Sequence, residues 1–480
     1  MTRRAGYAQK KGNSWRLRLS AKSSGTSAQK YCYHGGKVKR LLRLIFRQKN
    51  AGRAMQEQEK AKRGSAERAY REGLWVLQTL EEGGYQARFA GGSVRDRILG
   101  RIPKDFDVAT NATPDQVCLI FKQKGVKVVP TGIDHGTVTV VVRHAPIEVT
   151  TLRRDVKTDG RHAQVAFGSS FEDDALRRDF TINAMFEDRH GKIYDYFGGR
   201  DDIKNQRLRF VGDAVTRIRE DYLRMLRLFR FWARLGFAPD EQTLKLVTEL
   251  ADGLQKISQE RITSELLGTL SAAEPLPALK AMHRCSIFNQ ILIGLEQLPE
   301  PMLQGVLSCK LPEEEQELCL LAVLFQHLQP RVKTAPLGQK LRLPKRSIEK
   351  ITTILEAELK FPTAELSDGE ILDWVDQWEQ KTATAYTLTV LCKVWPYLFP
   401  DKAELVKRIA KVEEVSGGLR RQELPLTGHD LSKVLQLPAG PVIGDLLRKL
   451  KTAFRNREWR TAEEGLALAR RWLAVENSQL

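Results

Sequence analysis

Cysteine is scarce and scattered along this chain. Its six residues, Cys32, Cys118, Cys285, Cys309, Cys319 and Cys392, form no CxxC pair and no Cys/His group at zinc spacing, which argues against a zinc ribbon or a redox dithiol. They read as reduced thiols of a reducing interior such as the cytoplasm, where disulfides are rare. No apolar run approaches the length of a bilayer span, and no apolar block near the N-terminus is flanked like a secretory signal, so the sequence offers no membrane role. Internal repeats are absent too.

Acidic residues are missing from one region above all. Residues 1–63 hold 18 Lys and Arg against two acids, Glu57 and Glu59, so nearly all of the net charge of +19 sits there. The segment is rich in Ser and Gly and has one apolar cluster, Leu41-Leu42-Arg43-Leu44-Ile45-Phe46. Such a composition cannot bury enough surface to offset its ordering entropy, and residues 1–64 are expected to be a disordered basic extension. Three readings stay open: an arm that grips RNA phosphates, a start codon placed upstream of a true start near Met55, or an organellar transit peptide.

At 480 residues the chain exceeds one hydrophobic core, and several structural units are expected. From Ser65 the pattern alternates. Helical spacing over 66–82 ends at Gly83-Gly84, and strand-like runs follow at 87–90, 106–109, 126–129, 137–142 and 147–152, with helices at 94–99 and 114–124 between them. After Glu220 strand signals stop and helical periodicity runs nearly to the end.

The stretch Gly91-Gly92-Ser93-Val94-Arg95-Asp96, continuing to Lys104-Asp105-Phe106-Asp107, carries the most chemistry. A Gly-Gly turn opening a helix lets backbone N–H groups approach phosphate oxygens, and Arg95 adds a cation one turn later. Asp105 and Asp107 fall on an expected strand, where residues two apart share a face. Carboxylates so placed repel unless a cation stands between them, which suggests a shared Mg²⁺ site where two metals could activate a 3′-hydroxyl and stabilise the leaving pyrophosphate in an in-line displacement. Glu148, in Ile147-Glu148-Val149-Thr150, is the candidate third carboxylate.

These motifs, with those below in the same order, resemble the class II nucleotidyltransferases, the group of bacterial CCA-adding enzymes and poly(A) polymerases; the resemblance runs from about Ala66 to the C-terminus. It implies an α+β fold, a small nucleotidyltransferase-superfamily sheet head followed by an all-α neck, body and tail. The expected bounds are a head at 65–209, a neck at 210–270, a body at 271–400 and a tRNA-binding tail at 401–480. Within Arg177-Arg178-Asp179-Phe180-Thr181-Ile182-Asn183, the family's pattern puts Arg178 on the triphosphate and Asp179 on the ribose, with Asn183 beside them; a carboxylate accepting from a 2′-hydroxyl favours ribonucleotides. In Glu220-Asp221-Tyr222-Leu223-Arg224-Met225-Leu226-Arg227-Leu228-Phe229-Arg230, Tyr222, Leu226, Phe229 and Ala233 make an apolar helical stripe. By resemblance, Asp221 and Arg224 replace a nucleic-acid template for CTP or ATP, while Arg227 and Arg230 reach the phosphates. The polar loop at 153–162, with Arg154, Asp155, Gly160 and Arg161, matches the flexible element that switches specificity from C to A.

Thr131-Gly132-Ile133-Asp134-His135-Gly136-Thr137 resembles the form typical of CCA-adding enzymes, not the basic segment usual in poly(A) polymerases. The expected activity is therefore addition of CMP and AMP from CTP and ATP to tRNA, with Mg²⁺ and no obligatory protein partner. The alternatives are poly(A) synthesis, addition of the terminal A alone, and a non-catalytic RNA-binding module. In the tail, Lys449, Lys451, Arg455, Arg457 and Arg460 are candidate RNA contacts. Some relatives carry an HD phosphohydrolase signature; here the nearest stretch reads Phe325-Gln326-His327-Leu328, and His429-Asp430, alone in the tail, reads as structural.

Overall fold

The computed structural model describes residues 8–11, 14–17, 64–158, 163–167, 170–329, 333–355, 366–382, 388–420, 423–438 and 440–477. Within the basic extension, β1 (Ala8–Lys11) and β2 (Ser14–Leu17) pair antiparallel. The rest of that extension up to residue 63 lies outside the described residues.

Helix α1 covers 64–82, burying Val76, Leu77 and Leu80 at the expected helical spacing. Next come β3 (Ala87–Ala90), α2 (Gly92–Ile98), β4 (Asp107–Thr110), α3 (Pro114–Gln123), β5 (Lys127–Gly132), β6 (Thr137–Val142) and β7 (Ala145–Thr151). Helix α3 starts where its sequence demands, with Thr113 and Gln116 closing a capping box and Pro114 in the first turn, satisfying N–H groups that a helix leaves unpaired. Strand β6, Thr-Val-Thr-Val-Val-Val, is β-branched throughout and suits a pleated, half-buried surface. Then follow β8 (Arg153–Thr158), β9 (Ala163–Phe167), α4 (Phe171–Leu176), β10 (Met185–Glu187) and β11 (Ile193–Asp195).

Among the described residues, seven strands make one mixed sheet in the order β11-β10-β3-β4-β7-β6-β5. All pairings are antiparallel except β4 with β7. Phe89, Val108, Val138, Val140 and Val149 are buried with Phe121 and Leu80 in its core. The sequence pattern missed β10 and β11, because three-residue strands carry too few alternations to register.

The remaining helices are α5 (Gly199–Lys204), α6 (Ala214–Glu220), α7 (Leu223–Leu235), α8 (Glu241–Leu250), α9 (Gln259–Leu270), α10 (Leu276–Arg284), α11 (Ile287–Ile291), α12 (Glu300–Ser308), α13 (Glu313–Gln326), α14 (Thr334–Lys340), α15 (Lys345–Leu355), α16 (Asp368–Thr382), α17 (Leu388–Leu398), α18 (Ala403–Arg420), α19 (Gly428–Leu435), α20 (Pro441–Arg455) and α21 (Ala462–Asn477). They pack in relay: α7 on α9 and α10, α9 on α13, α13 on α12 and α15, α12 on α17, α17 on α18, α18 on α16, and α16 on α20. Around α19 to α21 a separate apolar cluster forms from Leu426, Leu431, Ile443, Leu446, Leu450, Ala453, Trp459 and Ala469.

The chain divides into two compact units. The first comprises residues 1–153, 167–173 and 185–195; the second comprises 154–166, 174–184 and 196–480. Residues 174–184, assigned to the head from sequence, belong to the second unit because Phe180 bridges to Phe210 and packs edge-on against Phe231 of α7.

Candidate functional site

In the first unit, strand register aligns one row of residues across the sheet: Tyr194, Phe186, Ala90, Asp107, Glu148, Thr139 and Val129. Register partners stand on the same face, so Asp107 and Glu148, direct partners on parallel strands, are side by side. Asp107 is half-buried and Glu148 exposed.

Asp105 is not on the strand. β4 begins at Asp107, because β3 has already turned away at Gly91 and the residue of β7 opposite would be Pro146, which has no N–H to offer. Exposure still alternates, with Asp105 open, Phe106 buried and Asp107 half-buried, leaving both carboxylates away from the Phe106 side. Among the described residues no three acidic, His or Cys side chains gather into a metal-holding group. Two carboxylates suit Mg²⁺, which commonly takes one or two from the protein and the rest from water and substrate phosphates.

Ala90 pairs with Asp107, so the Gly91-Gly92 turn leaves the sheet next to that carboxylate. Gly91 has φ +69°, a conformation that favours glycine, and its N–H donates to Met185 O at 3.1 Å. The Arg95 side chain is 3% exposed and donates from Nε and Nη2 to Asp96 Oδ1 at 2.8 and 2.7 Å, which braces the helix, and its Nη2 would lie 3.6 Å from a Cβ at Gly92. Sequence reasoning also missed the buried Glu187, which pairs with Arg97 at 3.1 Å; burial, only partly countered by Arg97, raises its pKa.

In the second unit, the segment holding Arg178 and Asp179 is tied down by buried carboxylates. Asp174 accepts from Nε of Arg177 and from Nε and Nη2 of Arg178, between 2.8 and 3.1 Å. Burial pushes the Asp174 carboxyl up, yet the two arginines hold it below the usual carboxylate range. Asp202, fully buried, accepts from Thr181 Oγ1 at 2.7 Å and from Arg209 Nε at 2.9 Å. Arg178 Nη1 reaches Asn183 O at 3.3 Å, while Asn183 Nδ2 donates to Asp179 Oδ1 at 3.1 Å.

Asp221 is not part of the helix carrying the arginines. α6 ends at Glu220 and Asp221 is extended (φ −153°, ψ 102°), with its Oδ1 accepting from Leu223 N at 3.2 Å as α7 begins. A short polar side chain that bonds the backbone just ahead interrupts a helix and starts the next. Asp221 Oδ2 also accepts from Arg261 Nη2 at 2.6 Å. Arg224 donates to Glu220 Oε2 at 2.6 Å and Arg217 O at 2.7 Å.

Arg227 pairs with Asp179 Oδ2 through Nε at 2.8 Å and Nη2 at 2.5 Å. Arg230 Nε lies 2.9 Å from Oε2 of the buried Glu265 on α9, close enough for ion pairing but without hydrogen-bond alignment. Burial works against every charge here. Asp179 nonetheless stays below the carboxylate range because of Arg227, Asn183 and the Phe180 N–H, and Arg227 is raised by Asp179 and Glu265. Burial prevails at the other two: Glu265 is raised and Arg230 lowered despite their pairing. A Cβ at Gly268 would fall 2.8 Å from Arg230 Cδ, so glycine there lets the arginine lie against α9. Arg261 and Glu265 went unnoticed in the sequence; their four-residue spacing marks one helix face, but nothing local says which helix it meets.

The loop expected at 153–162 is partly a hairpin. Arg154 and Asp155 are on β8, which forms a two-stranded sheet with β9, while Gly160 and Arg161 lie outside the described residues. Asp159-Gly160 between Val156 and Val165 is a hairpin signal that could have revealed it. In the Thr131–Thr137 motif, the Thr131 and Thr139 hydroxyls bond at 2.9 Å, and Gly136 closes a short 3-10 turn at φ +77°.

Arg455 in the tail, expected to contact RNA, is 1% exposed and clamped by Asp373 and Asp376 of α16. Lys451 pairs with Asp376 at 3.2 Å. Lys449, Arg457 and Arg460 are exposed. Asp430 accepts from Thr427 N and Oγ1 at 2.8 and 2.6 Å, capping α19 as a structural residue does.

The sheet topology, with the glycine turn delivering its helix beside Asp107, defines a nucleotidyltransferase head. Residues 87–209 match the family described as "Poly A polymerase head domain", and 236–298 match "Probable RNA and SrmB- binding site of polymerase A". The zebrafish Danio rerio CCA tRNA nucleotidyltransferase 1, mitochondrial, is 33% identical over 82% of this chain and 88% of its own. The Geobacillus stearothermophilus CCA-adding enzyme is 34% identical over 85% and 97%. A crystal structure of the Bacillus stearothermophilus CCA-adding enzyme in complex with CTP superposes with TM-score 0.64 at 29% identity, covering 86% of this chain and 99% of that one. The chain belongs to the family of CCA-adding tRNA nucleotidyltransferases. Among the described residues no helix is long and apolar enough to cross a membrane.

Proposed function

We propose that this protein adds CMP and AMP from CTP and ATP to the 3′ end of tRNA, without a nucleic-acid template and with release of pyrophosphate. The observation that carries the reading is the likeness to CCA-adding enzymes along most of both chains, on a head where Asp107, Glu148 and the glycine turn share one end of a sheet. Asp105 and Asp107 hold divalent metal, Mg²⁺. When bound, the metal lowers the pKa of the attacking 3′-hydroxyl and offsets charge on the leaving pyrophosphate.

The chain's own residues do the rest. Backbone N–H groups after Gly91 and Gly92 approach the triphosphate. Arg178 adds positive charge to the phosphates, and Asp179 accepts from the ribose 2′-hydroxyl. Asp221 and Arg224, an acceptor and a donor fork, read the Watson–Crick edge of C or A. Arg227 and Arg230, oriented by Asp179 and Glu265, reach the nucleotide's phosphates. Arg154, Asp155, Gly160 and Arg161 act in the C-to-A switch, and Lys449, Arg457 and Arg460 contact tRNA phosphates. The free cysteines among the described residues suit a reducing compartment, and we place the reaction in the cytoplasm.

A second reading, poly(A) synthesis, is favoured by the basic extension, which suits sequence-tolerant RNA binding. The deciding experiment offers the purified protein a tRNA ending at the discriminator base, a tRNA ending in CC and an unstructured RNA, each with CTP, ATP or both. Three nucleotides added to the first RNA support the proposal. One A added only to the second RNA supports terminal-A addition, and open-ended tails on the third support poly(A) synthesis.

A further inference from the structure

On helix α1, Arg68, Arg71, Glu72 and Trp75 follow the spacing i, i+3, i+4, i+7, which places them on one face. With Arg143 and His144 from the turn between β6 and β7, they line a cleft of about 570 Å³, within the size range of small-molecule sites. Glu72 is 6% exposed and accepts from Arg143 Nη1 at 3.4 Å, holding that guanidinium over the cleft although its side chain is 82% exposed. Trp75 is half-buried and backed by Phe121, ring centroids 5.9 Å apart. Arg143 and His144 occupy a two-residue turn with φ +45° and +70°, positions that Asn and Gly fill at least cost. An Arg-His pair there runs against backbone preference, and strain of this kind gathers where side chains are needed.

We propose that this cleft is a phosphate-backbone docking site for the RNA substrate, separate from the carboxylate row. The identity of the RNA rests on the function proposed above. Two observations choose the partner. Arginines around a half-buried indole suit alternating phosphates and bases. The 18 basic residues of 1–63 end immediately before α1 in the sequence, and like charge on that segment and on the cleft's arginines complements a polyanion.

The test measures binding of full-length protein to labelled tRNA lacking its CCA end, without nucleotide, across a salt series. Arg68→Ala/Arg71→Ala should lower the slope of log affinity against log salt by about 2, one for each phosphate no longer engaged. Arg68→Lys/Arg71→Lys should restore it, and the charge-matched control Lys122→Ala/Lys127→Ala should leave it unchanged. In single-turnover extension the arginine variant should need more tRNA to saturate yet reach the wild-type plateau rate. An unchanged slope, an equal drop in the lysine control, or displacement of RNA by polyglutamate as effectively as by competing RNA would overturn the site. RNA binding with the expected slope but no extension would instead sink the nucleotidyl-transfer reading and leave the cleft standing.

Discussion

Arg227 directs both Nε and Nη2 at one oxygen of Asp179, 48 residues earlier in the chain, at 2.8 and 2.5 Å. A buried carboxylate is thereby ionised and aimed by the helix that carries the arginine row, and the pair belongs to a network continued by Glu265 and Arg230. Removing Arg227 leaves Asp179 charged without its main partner. Arg227→Ala should destabilise the protein by about 3 kcal/mol, measured by urea unfolding, and Asp179→Asn on top of it should recover part of that stability.

The carboxylates at the end of the sheet predict a different outcome. Asp107→Asn and Asp105→Ala should each reduce incorporation of CMP and AMP alike by about 10³-fold or more, with the melting temperature nearly unchanged because neither side chain is fully buried. Single-nucleotide-resolution extension assays check this; a variant that loses only one of the two nucleotides would refute a shared metal site.

Base choice should depend on Arg224. Arg224→Ala should cut the preference for CTP over UTP by about tenfold or more, read from competing incorporation. Equal discrimination in variant and wild type would remove Arg224 from the template role and leave it as the partner of Glu220.

The tail provides a paired test. Arg455→Ala breaks the clamp on Asp373 and Asp376 and should cost about 3 kcal/mol, whereas Lys449→Ala should leave stability intact and weaken tRNA binding with a salt slope lower by about 1. The reverse pattern would show that Arg455 meets RNA after all.

One pH dependence comes from the body. Burial, with Glu314 and Glu313 nearby, pushes Glu317 up to about 7. A carboxyl raised in the folded state above its ordinary 4.5 favours folding at acid pH, and that contribution is lost as pH rises from about 4.5 through 7. Glu317→Gln should therefore leave stability unchanged near pH 4 and raise it by about 1 kcal/mol at pH 8, discounted for solvent reaching the half-exposed carboxyl. Thermal melts at the two pH values decide it.

Much of this was legible in the chain. Strands 87–90 and 137–142 fall where alternation and β-branching put them, and α3 begins at its capping box. Legibility failed where the deciding partner was distant. Nothing near Arg455 tells an RNA-contacting arginine from one clamped by two half-buried carboxylates, and Asp221 looked helical until its side chain was found bonding the Leu223 N–H.

Order along the sequence determined which residue types exist to hold metal and to read a base, together with the local elements that carry them, because turns, caps and periodicity act over a few residues. Tertiary structure alone decided that Asp107 faces Glu148, that Glu265 joins Arg227 and Arg230, and that Arg455 is buried. Each of these follows from strand register or helix packing between segments far apart in the chain, and no local pattern encodes such a meeting.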